Sequence, residues 1–494
     1  MFYRKELLLP KARTARVSIP LFLSPDTRTA ESLLPKNTAR TAYNYRLSGG
    51  ALTTGAGLSA AAMPSVSGGE PFALPSRTTN IVQMFVYTKY DYVNGKPDDR
   101  LIILDGQGYF YQTKLYESTP FTSVVFPRTF EKFDAVNYRY NGEDVLLMSA
   151  ALGLYIYDGV NNPYVVSAAP KIKSMCVHSE RLYASLKGDN TSIWFSDTFD
   201  PTNWNVSLDD GGFIDFADDG GYVRKVLQFN DSVYIFRDFS VERLIAYGEQ
   251  SEFSVFKVCS LGAKIIPSTI LLCGEYVMFM TRDGLFRFDG ASSERIFESV
   301  TAMIDTGYDA RACFDRDKYY LAAKVDFKDG REVLCESAGD GKNALFEFDV
   351  KSRTVNIMRG VSINDITAIK TQTKENVFAC LSPGGNAALT GIVTELNGSG
   401  TVPGAVTLPM MWTSAYNTSG APDKRKLIRK VSFVSKYDAV LTVTADGEAK
   451  AYPIKGGLKP VGVNINKACS AFSVSFGSGG QTDISDAVVT VDYY

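Results

Sequence analysis

The chain has 494 residues, 52 Lys and Arg against 54 Asp and Glu, and a net charge of −2. Near neutrality excludes a general nucleic-acid binder, which needs many cations to neutralise phosphates. With 30 Phe, 27 Tyr and 41 Gly against 21% charged residues, the composition is that of a turn-rich all-β protein with ample core material.

Residues 1–80 are rich in Pro, Ser, Thr, Ala and Gly, hold no sustained period of two or 3.6, and read as an extended arm with one or two strands. Within it, Asn37 to Tyr45 followed by Gly49-Gly50-Ala51-Leu52-Thr53-Thr54-Gly55 reads as strand, glycine turn and strand. Residues 1–50 carry nine Lys or Arg against Glu6, Asp26 and Glu31, which suits an acidic partner surface. Lys5, Pro10, Lys11 and Arg13 interrupt every apolar stretch that would serve as a signal-peptide core.

From about residue 82 the pattern becomes strands of five to seven residues separated by Gly, Asp and Asn turns. One strand returns: Gly153-Leu154-Tyr155-Ile156-Tyr157-Asp158-Gly159, then Gly284-Leu285-Phe286-Arg287-Phe288-Asp289-Gly290, with looser copies at Gly108-Tyr109-Phe110-Tyr111 and Leu345-Phe346-Glu347-Phe348-Asp349. Equivalent strands start at Tyr109, Leu154, Ile193, Leu244, Leu285, Leu345 and Ile392, 39 to 60 residues apart. That spacing surrounds the length of a propeller blade, with an insertion near 328–342 explaining the longest step. Each unit has an earlier strand, such as Arg181 to Leu186, and hairpin turns such as Asn230-Asp231. The pattern predicts a β-propeller of six or seven blades over 81–404. No stretch keeps a capped helical stripe, and the longest apolar run, Thr269 to Met280, is too short to cross a membrane and is broken by Glu275.

Asn397-Gly398-Ser399-Gly400-Thr401-Val402-Pro403-Gly404 reads as a linker. Beyond it, alternating segments such as Ala439 to Thr444 and Phe472 to Phe476 predict a small antiparallel, sandwich-like β domain over 405–494.

Candidate chemistry is sparse. The one histidine, His178, lacks a nucleophile elbow to serve and reads as structural. Asp209-Asp210-Gly211-Gly212 and Asp218-Asp219-Gly220-Gly221 cluster carboxylates, but their spacing is that of hairpin turns and not of a calcium loop. Seven cysteines, an odd total without Cys-x-x-Cys, sit beside apolar residues as buried free thiols of a reducing compartment do. Ser196 to Trp204 is similar, without the central Gly, to the Asp-box turn of sialidase propellers, a fold-forming turn away from the active site. The run Asp423-Lys424-Arg425-Lys426-Leu427-Ile428-Arg429-Lys430 is the densest basic stretch, and reads either as a solvated strand edge or as a contact for an acidic neighbour or passing DNA phosphates. No catalytic, cofactor or metal residues are assigned. The candidate partner contacts are Arg4, Lys5, Arg13, Arg16, Lys424, Arg425, Lys426, Arg429 and Lys430.

Three stretches, Ala42-Tyr43-Asn44-Tyr45 with Gly49 to Gly55, Ile193-Trp194-Phe195-Ser196-Asp197 with Asp200 to Trp204, and Pro422 to Lys426, resemble bacteriophage virion proteins of the tail hub or nozzle type, including packaged-DNA stabilisation proteins. The resemblance implies a non-enzymatic structural protein of the virion tail, assembled in the host cytoplasm. It implies a homo-oligomeric ring, commonly a hexamer, below the portal and adaptor, which retains the genome and then forms the DNA exit channel, touching DNA transiently and without specificity. Two other readings stand beside it. A receptor- or glycan-binding propeller would expose Trp and Tyr on its loops, and a propeller glycoside hydrolase would pair carboxylates at its mouth.

Overall fold

The computed structural model describes residues 15–22, 25–29, 34, 38–61, 72–75, 80–117, 119–150, 153–208, 211–248, 250–327, 341–370, 375–382, 391–402, 406–417 and 424–493. Its chain forms two compact units, one of Leu58–Asn397 and one assembled from the two ends of the sequence.

The first unit is a β-propeller of seven blades. Blades 1 to 5 are separate four-stranded antiparallel sheets, with strands ordered from the axis outward as they come in sequence. Their inner strands are Ile81–Tyr87, Asp134–Tyr140, Ile172–His178, Val223–Phe229 and Ile265–Cys273. Blades 6 and 7 share the 17-residue strand Thr354–Lys370, whose first part pairs with Lys342–Asp349 and whose second part pairs with Glu375–Leu381. Gly360 lies between the two parts at φ 93°, a conformation open mainly to glycine. All seven returning aromatic strands of the sequence are third strands of successive blades, from Phe110–Lys114 in blade 1 to Val393–Asn397 in blade 7.

The repeat has a packing reason. Asp158 and Asp289 each accept two backbone N–H groups from the turn that follows, at 2.7 to 2.9 Å, and the next residue is Gly159 or Gly290 at φ 83° and 97°. The carbonyl of that glycine is then held by the preceding blade: Arg100 and Gln112 of blade 1 donate to Gly159 O, and Tyr234 Oη of blade 4 donates to Gly290 O at 3.1 Å. Turns between first and second strands also follow sequence chemistry. Asn141-Gly142, Ser179-Glu180, Asn230-Asp231 and Arg316-Asp317 all have two consecutive positive φ values, the geometry that matches strand twist.

Closure of the wheel corrects the expected boundary at residue 81. Gly57–Ala60 is the outer strand of blade 7, so the amino-terminal side supplies the last strand of the last blade. A propeller ends its edge problem this way, since a strand from the far end of the chain ties the first and last blades together.

Around the axis, each inner strand sends one polar side chain to the next blade. Gln83 donates to Phe133 O at 2.7 Å and accepts from Phe133 N at 2.9 Å. Asp134 accepts from Met175 N at 2.8 Å, and Ser174 accepts from Val226 N at 3.4 Å. Lys225 Nζ donates to Ile270 O at 2.8 Å, and Ser268 Oγ donates to Ala310 O at 2.6 Å. Arg311 lies 3.7 Å from Asp365, which closes the circle by accepting from Met84 N at 2.8 Å. In blades 1, 3, 4 and 7 this residue follows a β-bulge, with register shifts at Ile81/Gln83, Ile172/Ser174, Val223/Lys225 and Ile363/Asp365. The bulge re-aims the side chain away from its own ladder.

The second unit is a β-sandwich, and it revises the expected arm and carboxy-terminal domain into one body. One sheet joins Ala15–Pro20, Tyr45–Ser48 and Ala51–Thr54 to Asp483–Tyr493, Lys426–Ser435 and Gly457–Cys469. The other joins Ala39–Tyr43 to Met410–Ser414, Phe472–Ser478, Ala439–Ala445 and Glu448–Ile454. The stretch expected as one strand over 37–45 changes sheet at Asn44, which has φ 60° and donates from Nδ2 to Pro409 O at 2.9 Å. Short amino-terminal strands bury too little by themselves to be stable. Ile19, Ala39, Tyr45 and Leu52 instead enter one core with Trp412, Phe433, Phe476 and Val491. Phe22 meets Trp412 and Phe476 edge-on at 5.0 and 5.3 Å.

Gln83→Leu leaves a buried N–H and C=O of Phe133 without partners. It is expected to destabilise the propeller by about 2–4 kcal/mol in chemical denaturation, whereas Gln107→Ala, at an exposed turn position, is expected to stay within about 0.5 kcal/mol.

Candidate functional site

Of the basic residues singled out by sequence, Arg4, Lys5 and Arg13 lie outside the described residues, and Arg16 stands in the strand Ala15–Pro20 opposite Asp492. The run at 424–430 is not a strand edge. Lys426–Ser435 pairs on both sides, with Gly457–Cys469 and with Asp483–Tyr493. Lys426 is 0% exposed and donates from Nζ to Lys424 O and Ser470 O, both at 2.7 Å, so it ties loops together inside the unit. Arg429 donates from Nε to the buried carboxylate of Asp492. A register shift between Ile428 and Lys430 lets Ile428 and Val431 both face the core, although they are three residues apart, and turns Arg429 and Lys430 outward. The outer face therefore offers Lys424, Arg425 and Lys430, with Arg429 committed to Asp492.

Among the edges of the sandwich are Glu448–Ile454 and Gly457–Cys469. They carry Lys450, Lys459, Lys467, Pro453 and Pro460, the residue types that discourage further strand pairing.

Other motifs resolve into folding chemistry. In the turn from Ser196 to Trp204, Asp200 accepts from Thr202 N at 2.9 Å and Trp204 Nε1 donates to Pro201 O at 2.9 Å, placing the indole in the core of blades 2 and 3. Asp218 accepts from Gly220 N and from the buried Arg237, while Asp209 and Asp210 lie outside the described residues. Among the described residues no group of three or more His, Cys, Asp and Glu is placed to hold a metal ion. Six of the seven cysteines are described, all unpaired, and burial pushes the Cys273 thiol up to about 12 and the Cys469 thiol up to about 11. Cys335 lies outside the described residues.

Two places do gather polar groups that the fold does not wholly consume. The first is a cleft of about 460 Å³ between blades 1 and 2, lined by Thr88, Lys89, Tyr90, Pro97, Asp99, Tyr116, Asn137, Tyr138, Arg139 and Asp144. Its wall is a hairpin, Tyr90–Asp91 with Lys96–Pro97, inserted where blades 2, 3, 4 and 6 have two-residue turns. Asp91 caps Val93 and Asn94 at the tip, and the Asn94 amide holds the Asp91 carboxyl below its usual range. Tyr90 and Tyr92 stand edge to face at 5.1 Å and are 40% and 51% exposed. Arg139 donates to Tyr92 Oη at 2.8 Å with its guanidinium 5.0 Å from the ring centre. Asp99 accepts from Lys89 N and from Tyr116 Oη, and Asp144 accepts from Tyr90 N. Two cations and two carboxylates leave the cleft balanced and rigid, with tyrosine faces toward solvent.

The second place is the axial mouth, where inner strands begin. Lys132 pairs with Asp309 at 3.2 Å, and Arg311 lies 3.5 Å from Asp309 and 3.7 Å from Asp365. Burial, then Arg311, lowers the Lys132 ammonium. Burial alone would lift the Asp309 carboxyl, but Arg311 and Lys132 together bring it below its ordinary range. Deeper in, burial raises Asp134 and Asp365 and lowers Lys225.

Neither place was singled out from sequence. The axial residues had a signal, an apolar-x-polar-apolar step at Ile81 to Met84, Ile172 to Met175, Val223 to Val226 and Ile363 to Ile366.

No family model and no curated protein matches the chain. Among solved structures it is similar to a streptogramin B lyase at 9% identity and TM-score 0.41, over 66% of this chain and 96% of that one. It is also similar to the virginiamycin B lyase of Staphylococcus aureus at 8% identity and TM-score 0.41, over 66% and 97%. YCF48 bound to D1 peptide stands at 9% identity and TM-score 0.40, over 65% and 93%. No activity comes with likeness of that degree.

His178 is 6% exposed, and burial lowers its imidazole below the ordinary range against the smaller pull of Asp231 and Glu180. Between the native and unfolded values the unfolded chain binds more protons, so this group's contribution to stability is full above the unfolded value and is lost as pH falls below about 6.5. NMR of the single histidine is expected to give a titration midpoint under that of a free imidazole.

Proposed function

We propose that this chain is a structural subunit of a bacteriophage tail, a hub or nozzle component without catalytic activity. In this reading copies join in a ring, with six the expected number, below the portal and adaptor, closing and then forming the DNA exit channel. The observation that carries the reading is the interlocking of the chain: strands from 15–54 and 406–493 complete one sandwich, and 57–60 complete the last propeller blade. A force carried through Ala15–Pro20 or Asp483–Tyr493 meets strands that pair with each other, which suits a part loaded by packaged DNA. A net charge of −2 is compatible with DNA passing without sticking. Among the described residues no helix is long and apolar enough to cross a membrane.

A second reading, a receptor- or glycan-binding tail propeller, is favoured by the tyrosine-walled cleft of blades 1 and 2. A cleft with balanced charge and exposed aromatic faces suits an uncharged saccharide better than an ion.

Native mass spectrometry of the full chain and electron microscopy of purified virions test the first reading. A ring of about six copies in the tail is expected, and a protein that stays monomeric and is missing from virions would end it. On a glycan array the second reading expects binding that Tyr90→Ala, at the exposed tyrosine that lines the cleft, weakens roughly two- to tenfold with an unchanged melting temperature; equal binding by the variant removes the cleft from consideration.

A further inference from the structure

The axial mouth carries one cation more than its carboxylates can serve. Lys132, Arg311 and Lys342 face Asp309 and Asp365, and both carboxylates are already engaged. Asp309 accepts from Ser268 Oγ at 2.9 Å and pairs with Lys132 at 3.2 Å, while Asp365 accepts from Met84 N at 2.8 Å. Lys342 begins the third strand of blade 6 and registers opposite Ile363, two residues before Asp365. The residue is only 7% exposed, and among the described residues its ammonium makes no hydrogen bond or ion pair. Arg311 Nε is likewise buried without a hydrogen-bond partner. The charges acting on Lys342 are those of Lys132, Asp309, Arg311 and Asp365, and among them the repulsion from Lys132 is the strongest.

An ammonium on a side chain as covered as that of Lys342, with no hydrogen-bond acceptor among the described residues, loses hydration without gaining a partner, and two cations that repel across a shared space lower that cost together when an anion enters it. Solvent access grades across the cluster, with side-chain exposures of 52% at Asp309, 28% at Lys132 and 18% at Arg311. An anion thus has a route from the open side toward Lys342. We propose that the axial mouth binds a small oxyanion, with Lys342, Lys132 and Arg311 as its donors. A tetrahedral oxyanion presents several acceptors to donors arriving from two strands of blade 6 and from the connection between blades 1 and 2, and a guanidinium suits it better than it suits a spherical halide. Bound there, the anion links blade 6 to the segment that leads from blade 1 into blade 2, at the point where the polar circle passes to blade 7. It acts as a fastener of the wheel, whichever reading of function holds.

The test uses the full chain in inorganic phosphate, with ionic strength held constant by chloride. The melting temperature of the wild type is expected to rise saturably with phosphate, as binding to the native state alone requires. Lys342→Met is expected to lose most of that rise, with apparent affinity down roughly tenfold or more. Lys467→Met, at an exposed ion pair of the sandwich, is expected to keep it and so to account for the general salting effect of phosphate. Equal rises in wild type and Lys342→Met, or none above the chloride control, would overturn the proposal. Should Lys342→Met fail to fold, ³¹P line broadening of phosphate by the wild type, diminished in Lys132→Gln, gives the same decision. Broadening that is absent, or equal in the two proteins, refutes the site.

Discussion

The propeller depends on one constraint: one polar side chain near the start of each inner strand must find the backbone or the charge of the next blade. Seven sheets packed only by apolar faces would be free to splay, because burial is not directional. Hydrogen bonds such as Gln83 to Phe133, Asp134 to Met175 and Lys225 to Ile270 fix the angle between neighbours. They lie in a dry environment, where each is strong when made and costly when missing. The circle admits no vacancy, since the partner of Asp365 is Met84 in the first blade. Residues 81 and 366 therefore have to meet before any of these polar groups is fully satisfied, and the outer strand from Gly57–Ala60 holds that meeting in place.

Much of this was legible in the sequence, for identifiable reasons. The third strands stood out because blades repeat a buried aromatic strand, and in blades 2 and 5 this strand runs into an Asp-Gly turn whose carbonyl the preceding blade grips, as Tyr234 grips Gly290. The turn at Asn230-Asp231 was readable because Asn and Asp tolerate positive φ, whereas Ser179-Glu180 and Arg316-Asp317 take the same geometry without that signal. The amino-terminal strands were not readable as part of a sandwich, because Ala39–Tyr43 and Ala51–Thr54 pair with strands more than 350 residues away and carry no local sign of it. The basic run at 424–430 misled for a different reason. Lys426 looks like surface by type, yet its ammonium satisfies two carbonyls in the interior, and the bulge that expels Arg429 and Lys430 breaks the alternation from which a face would be inferred.

The cleft was invisible to pattern reading for a third reason, that its parts come from three places. Tyr90 and Tyr92 belong to an insertion, Tyr116 follows the third strand of blade 1, and Arg139 and Asp144 flank a turn of blade 2. Each is an ordinary surface residue in one dimension. Only the docking of blade 2 on blade 1, enforced by Gln83 at one end and by the Tyr87 Oη bond to Asp144 O at the other, brings them to one wall.

Regularity itself then indicates where to look for function. Where blades 2, 3, 4 and 6 turn with two residues, the chain does no more than the twist of the strands requires. Blade 1 departs from that minimum with a hairpin whose tyrosines remain half exposed, although its Asp91 cap and Asn94-Gly95 turn show that the segment is ordered. The axial circle departs from its own rule at one step. Six of its links involve a backbone group, whereas the link from blade 6 to blade 7 is an ion pair at 3.7 Å beside an ammonium without a partner. In a circle whose other links are hydrogen bonds of 2.6 to 3.4 Å, the longest link coincides with the excess of cations, and a bound anion would meet that charge at the one step where the backbone supplies no partner.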